Sequence, residues 1–188
     1  KAQRLAGLEQ TRTEPSALGP RLLQRQLTPY AKDDIRYVPT IEESIARLQA
    51  ATHEQVVRLY RDYLGGGIGE LTIVGDFDAE ACLPILKETL AGWSPQKPYA
   101  RIANPLAGGV YGTRHAVNTP DKANATYAAG LMLPVRDDYP DYAALLLGNY
   151  ILGAGTLSSR LGVRIRQQEG LSYGVTSSLS AASWEPRA

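Results

Sequence analysis

The sequence predicts an α+β fold, an antiparallel sheet with helices packed on one face. Three observations lead there. Segments that alternate apolar and polar residues, the period of a strand, stand among segments with apolar residues at i, i+3 and i+4, the period of a helix. A run rich in Pro and Gly, residues 94–109, divides the chain. After that run the elements read β-β-α-α-β, an order that favours an antiparallel sheet backed by helices.

The N-terminal elements come first. Residues 1–34 have weak periodicity broken by Pro15, Pro20 and Pro29, and carry short helices around Leu5 and Leu22. Tyr37-Val38-Pro39 is extended, because a residue before proline avoids helical angles. Thr40 with Glu43 forms a capping box ahead of a helix whose apolar face is Ile41, Ile45 and Leu48. Thr52 with Gln55 opens a second helix through Val56, Leu59, Tyr60 and Tyr63, ended by Gly65-Gly66-Gly67. Residues 70–74 read as a strand closed by the turn Gly75-Asp76. Asp78 caps a helix to Ala91 with Leu83, Leu86 and Leu90 inward, and Pro84 delays or kinks its start.

Beyond the dividing run, residues 110–117 and 123–133 read as strands joined across Thr119-Pro120-Asp121. Pro140 suits the first turn of a helix over 141–152 that is apolar nearly all round, and so predicts a buried layer. Leu157, Leu161 and Ile165 share a face of the next helix, which Gly170 stops. Leu171, Tyr173 and Val175 then alternate with Ser172, Gly174 and Thr176 as a strand. Helix, reversal and strand together bring Arg166 and Tyr173 toward one corner.

Composition removes several function classes. The 188 residues are 44% hydrophobic with a formal charge of +1, enough apolar material for a packed core and no basic block for nucleic acid or a membrane surface. Cys82 stands alone, so no internal disulfide forms. The longest apolar run, 142–152, is too short to span a bilayer. Lys1 is not an initiator methionine and no signal sequence follows it, so the sequence reads as excised from something larger.

Context decides what each chemical motif can do. Gly170-Leu171-Ser172-Tyr173-Gly174 matches G-x-S-x-G, but that elbow needs a strand before the serine and a helix after it, and here the order is reversed. His53 and His115 both precede Ser172, against the hydrolase order. The Gly65–Gly69 run passes from helix to strand, the wrong direction for a phosphate loop, and Gly153-Ala154-Gly155 has no strand before it and no Lys-Ser/Thr after it. Neither H-E-x-x-H nor H-x-x-E-H occurs, so this chain by itself is not expected to hold a catalytic zinc. Arg166 and Tyr173 remain. The plainer reading comes first: a solvated cation at a helix C-terminus and an aromatic packed on a sheet. The functional reading is a guanidinium fork and a phenol converging on one oxygen anion, a peptide carboxylate or a developing oxyanion.

Those residues carry a resemblance. Ser159-Arg160-Leu161 followed by Arg166-Gln167-Gln168-Glu169-Gly170-Leu171-Ser172-Tyr173 resembles the Arg/Tyr signature of the pitrilysin–insulinase zinc metallopeptidases, with the arginine and tyrosine seven positions apart. Tyr37-Val38-Pro39-Thr40-Ile41-Glu42-Glu43, Ile73-Val74-Gly75-Asp76-Phe77-Asp78, Thr119-Pro120-Asp121-Lys122-Ala123-Asn124 and Leu152-Gly153-Ala154-Gly155 also resemble the long bacterial, two-half members. The similarity runs from about Tyr30 to Ala182.

The resemblance implies an internal fragment of the C-terminal half, holding parts of two α+β modules. Residues 1–93 would end one, mostly helical with a strand at 70–75. Residues 94–109 would link it to the start of the next, 110–188, which carries the Arg/Tyr motif. It implies a substrate-binding, non-metal part of a zinc metalloendopeptidase, with Arg166 and Tyr173 anchoring a substrate carbonyl or oxyanion. Zinc would sit in the N-terminal half of the full-length protein, bound through H-x-x-E-H, with none bound by this chain, and the fragment alone would be inactive. The implied partners are a peptide or small-protein substrate and that zinc-bearing half, without nucleic acid. Sheet edges left exposed in the fragment would allow self-association, and the implied location is the periplasm. The alternative is a catalytically inactive scaffold or peptide-binding subunit of the same fold.

Overall fold

The computed structural model of the chain describes residues 1–67, 69–108 and 110–188. Ile68, within the Gly65–Gly69 run, and Gly109, at the end of the predicted linker, lie outside the described residues. The chain forms two compact units, one of residues 1–8 and 42–102, the other of residues 9–41 and 103–188.

The first unit is built on three helices that follow their sequence signals. Helix α3, Ile41–Ala50, begins at the last residue of the second unit and carries Glu42 and Glu43 in its first turn, where acids oppose the positive helix end. In α4, His53–Tyr63, Thr52 is the N-cap. Its hydroxyl accepts from the Gln55 N–H at 3.2 Å while the Gln55 side chain accepts from the Thr52 N–H at 3.0 Å, so two otherwise orphaned donors are satisfied reciprocally. In α5, Ala79–Leu90, the Asp78 carboxylate accepts from the N–H groups of Glu80 and Ala81, and Pro84 sits inside the helix without delaying its start. Leu83 and Leu90, expected to face inward, are exposed.

The glycines after α4 answer a close approach. A Cβ on Gly65 would run into Pro95, and the Gly66 N–H donates to the Trp93 carbonyl at 2.8 Å. The same passing segment stacks Trp93 on Tyr60, ring centroids 5.9 Å apart. It also lets the N–H groups of Gln96 and Lys97 reach the carbonyls of Arg61 and Asp62 at the end of α4.

The second unit begins with the end of α1, Ala2–Gln10, and with α2, Pro15–Leu27, which has Pro15 in its first turn and Pro20 within. Arg25 in α2 donates to the Tyr37 hydroxyl and the Val38 carbonyl, and Arg21 to the Pro39 carbonyl, so the extended 37–39 stretch is tied along the helix. Asn104 receives the Tyr30 hydroxyl, and the Ala103 carbonyl receives Arg36. The remaining helix, α6, spans Tyr142–Asn149 and widens into a π-helical turn, Tyr150–Ala154.

The predicted antiparallel sheet with helices on one face is not what the structure contains. Segments 70–74, 110–117, 123–133 and 171–179 are irregular, and among the described residues no strand ladder joins them; a lone parallel bridge links Arg136 and Ala182. Alternation fixes which side chains share a face, whereas a strand exists only where two backbones run about 4.8 Å apart and exchange hydrogen bonds. The turn at 119–122 does close, with the Lys122 N–H on the Thr119 carbonyl, yet its flanks do not pair. The described residues are thus helical with irregular connecting segments. Without strands there are no sheet edges among the described residues through which copies would associate.

Helix α6 departs from expectation as well. None of its residues is buried, and Leu147 is 62% exposed, so the predicted buried layer is an open apolar face. Among the described residues the buried apolar side chains are Ile41 and Ile45.

Candidate functional site

The predicted continuous helix from residue 156 is broken into pieces, and the break shapes the site. A 3-10 turn, Thr156–Ser158, is followed by a bend at Ser159, and the helix restarts at Arg160 and runs as a π-helix over Gly162–Gln168. The wider winding is visible in the Glu169 N–H bonding to the Arg164 carbonyl, five residues back. Gly170 then takes φ +62, the left-handed stop its residue type favours, and the Leu171 N–H reaches back to the Ile165 carbonyl at 3.0 Å.

The returning segment is held against the helical layer through glycine. A Cβ on Gly153 would lie 2.5 Å from Ser177 Oγ and 2.7 Å from its backbone N, while the Ser177 hydroxyl donates to the Asn149 carbonyl at 3.3 Å. Gly155 is similarly crowded by the Tyr150 carbonyl and ring. Gly153-Ala154-Gly155 is therefore a close-packing element.

Between helix and returning segment lies an open cavity of about 290 Å³, lined by Thr156, Leu157, Gly162, Arg166 and Tyr173, and by residues 174–176 beyond it. The structure brings the two sequence-predicted residues to one cavity wall. Tyr173 is 92% exposed, with its phenol in solvent and not packed on a sheet. Among the described residues neither the Arg166 nor the Tyr173 side chain makes a hydrogen bond or ion pair. The nearest carboxylate along the helix is already taken: Glu169 pairs with Arg164 Nη2 at 2.7 Å.

The other motifs resolve locally. The Ser172 hydroxyl accepts from the Gly174 N–H and donates to the Gly174 carbonyl at 2.8 Å, which closes a turn on itself. His53 lies on α4 in the first unit, beside an open cavity lined along that helix by Glu54, Gln55, Val57, Arg58 and Arg61. Among the described residues no three His, Cys, Asp or Glu side chains form a group able to hold a metal ion. Nor is any helix among them long and apolar enough to cross a membrane.

Sequence reasoning missed Thr156 and Ser159. Thr156 has φ +55, a left-handed conformation, and Ser159 is 2% exposed. Their signal was faint: glycines at 155 and 162 around a Thr-Leu-Ser-Ser run, a pattern of helix interruption.

Two comparisons place the chain among known proteins. The family model for the peptidase M16 inactive domain matches residues 50–185, most of the chain. One similar solved structure is that of a peptidase M16 inactive domain from Pseudomonas fluorescens, with a TM-score of 0.62 and 24% identity over 96% of this chain. That likeness shows a shared fold, and the present chain spans 42% of that protein's length. No curated protein matches. With well over half of its length, Arg166 and Tyr173 included, under one family model, the chain belongs to the peptidase M16 inactive domain family.

Proposed function

We propose that the chain is the substrate-positioning, non-metal part of a metalloendopeptidase, in which Arg166 and Tyr173 hold the carbonyl of an extended peptide. One observation carries the reading: a guanidinium and a phenol line one open cavity, and no partner among the described residues occupies either. Arg166 supplies up to five N–H donors in a fixed fork and Tyr173 one O–H that rotates. Two such donors suit an oxygen that gains negative charge as a peptide carbonyl turns tetrahedral, because they strengthen as the charge develops. Leu157 and Val175 add apolar wall for a side chain of the same peptide.

The resemblance noted in the sequence implies zinc in a different half of the parent protein. The described residues offer no donor set for it, so the role assigned here is orientation and charge stabilisation by this chain alone. That zinc-bearing half and a peptide or small protein are the proposed partners, and the periplasm is the proposed location, to be checked by cell fractionation.

The family's description as an inactive domain favours a second reading, a scaffold that has lost any contact with substrate. The two separate on mutation. In the full-length protein, Arg166→Ala or Tyr173→Phe is expected to lower peptide turnover roughly 100- to 1,000-fold, about 2.7–4 kcal/mol of lost transition-state stabilisation, with the far-ultraviolet circular dichroism unchanged. Full turnover in both variants would leave the scaffold as the better description.

A further inference from the structure

The cavity wall contains a backbone conformation that threonine avoids. Thr156, at φ +55, is the one non-glycine left-handed residue among those described, and it is β-branched. Such a residue persists only where its surroundings impose it. Here the surroundings are Ser159. Its hydroxyl donates to the Thr156 carbonyl at 2.6 Å and accepts from the Gly162 N–H at 3.1 Å, and its own N–H donates to the same carbonyl at 3.2 Å. Gly162 completes the arrangement, because a Cβ there would run into the Thr156 carbonyl. The Gln167 side chain then bonds the Leu157 carbonyl at 2.9 Å and ties the π-helix back to the same corner.

We propose that Ser159 is a positioning residue, a buried clasp that holds Thr156 left-handed so that the helix leaving the corner delivers Arg166 to the cavity it shares with Tyr173. This rests on the reading of that cavity as a peptide site. Ser159 touches no cavity surface itself. It acts through the corner, whose residues Thr156, Leu157 and Gly162 are cavity wall, and through the exit direction of the helix. A hydroxyl that merely caps a helix start accepts from one N–H. This one bridges a carbonyl before the bend and an N–H after it.

The test uses Ser159→Ala, which removes both side-chain bonds, and Ser159→Ala combined with Thr156→Gly, which lets position 156 take a positive φ without steric cost. Both are made in the full-length protein. The readouts are the crystallographic φ at position 156 and the Kd, by fluorescence anisotropy, of a fluorescein-labelled, amidated octapeptide of alternating Ala and Leu. Ser159→Ala is expected to turn φ negative and weaken the peptide about tenfold, the cost of one released left-handed residue. The double variant is expected to return to within about threefold of the parent. A hydroxyl with only a stabilising role would lower Tm and leave Kd unmoved well below it, with no rescue. A positive φ retained in Ser159→Ala, an unchanged Kd, or no rescue each overturns the clasp. Should Ser159→Ala fail to fold, the double variant decides: it must fold and bind within that range, or the proposal falls. Arg166→Ala serves as the control. If it leaves Kd unchanged, the peptide-site reading fails, and the φ at 156 still judges the clasp.

Discussion

Gly153 and Ser177 pack so closely that a single added carbon would not fit: a Cβ on Gly153 would stand 2.5 Å from the Ser177 hydroxyl and 2.7 Å from its backbone nitrogen. The hydroxyl can rotate away, but the nitrogen cannot. This contact sets how near the segment bearing Tyr173 comes to the helical layer.

Gly153→Ala therefore opposes two effects. Alanine gains roughly 1 kcal/mol of helix propensity over glycine, while forcing a methyl against fixed backbone costs about 1–3 kcal/mol. The clash is expected to win. Urea unfolding should show a lower midpoint in Gly153→Ala, and an equal or higher midpoint would mean that the approach is looser than described.

Arg164 pairs with Glu169, which stands three residues after the cavity arginine. If the cavity holds a peptide, that pair is expected to keep the carboxylate off Arg166. In Arg164→Ala, Glu169 is free to compete with the substrate for Arg166. An exposed pair of this kind is worth about 0.2–1 kcal/mol, so turnover should fall up to about fivefold. Adding Glu169→Gln should restore it, and a loss that survives that second change would contradict the competition.

Asp34 gives a pH signature. Its carboxylate accepts the Arg36 Nε and Nη2 donors at 2.9 and 2.7 Å and the Arg36 backbone N–H at 2.8 Å, which hold its pKa at about 2, below the usual 3.8. Arg36 also lies over the Tyr30 ring, 4.1 Å from its centroid. A lowered folded pKa stabilises the fold fully above pH 3.8, and the contribution is lost as pH falls from there to about 2. A ¹³C titration of the Asp34 carboxyl should place its midpoint near 2, and a midpoint at 3.8 would show the ion pair absent in solution.

The parts of the structure fixed by neighbours in sequence were readable. Thr52 and Gln55 close their capping box, Asp78 caps α5, and Gly170 stops its helix, because each depends on residues within one turn. The seven-residue spacing of Arg166 and Tyr173 was readable for the same reason: a stop and a tight reversal bring the two to one cavity. What failed depended on distant partners. Leu71 and Ile73 alternate with Glu70 and Thr72 like a strand, yet among the described residues no second backbone pairs with them, and both side chains are exposed. Leu146, Leu147 and Ile151 read as a buried layer because apolarity announces a preference for burial and not the surface that would cover it. The corner at Thr156 was hidden differently: local pattern favoured continuing the helix, and the bonds of Ser159 overrode it.

The central claim is that Arg166 and Tyr173 act on the same atom of one ligand. A double-mutant cycle on peptide turnover, using Arg166→Ala, Tyr173→Phe and both together in the full-length protein, measures this directly. The account predicts a coupling of at least about 0.5 kcal/mol, the second substitution costing less once the first is made. Effects that add to within about 0.3 kcal/mol would show two residues working independently and would contradict it.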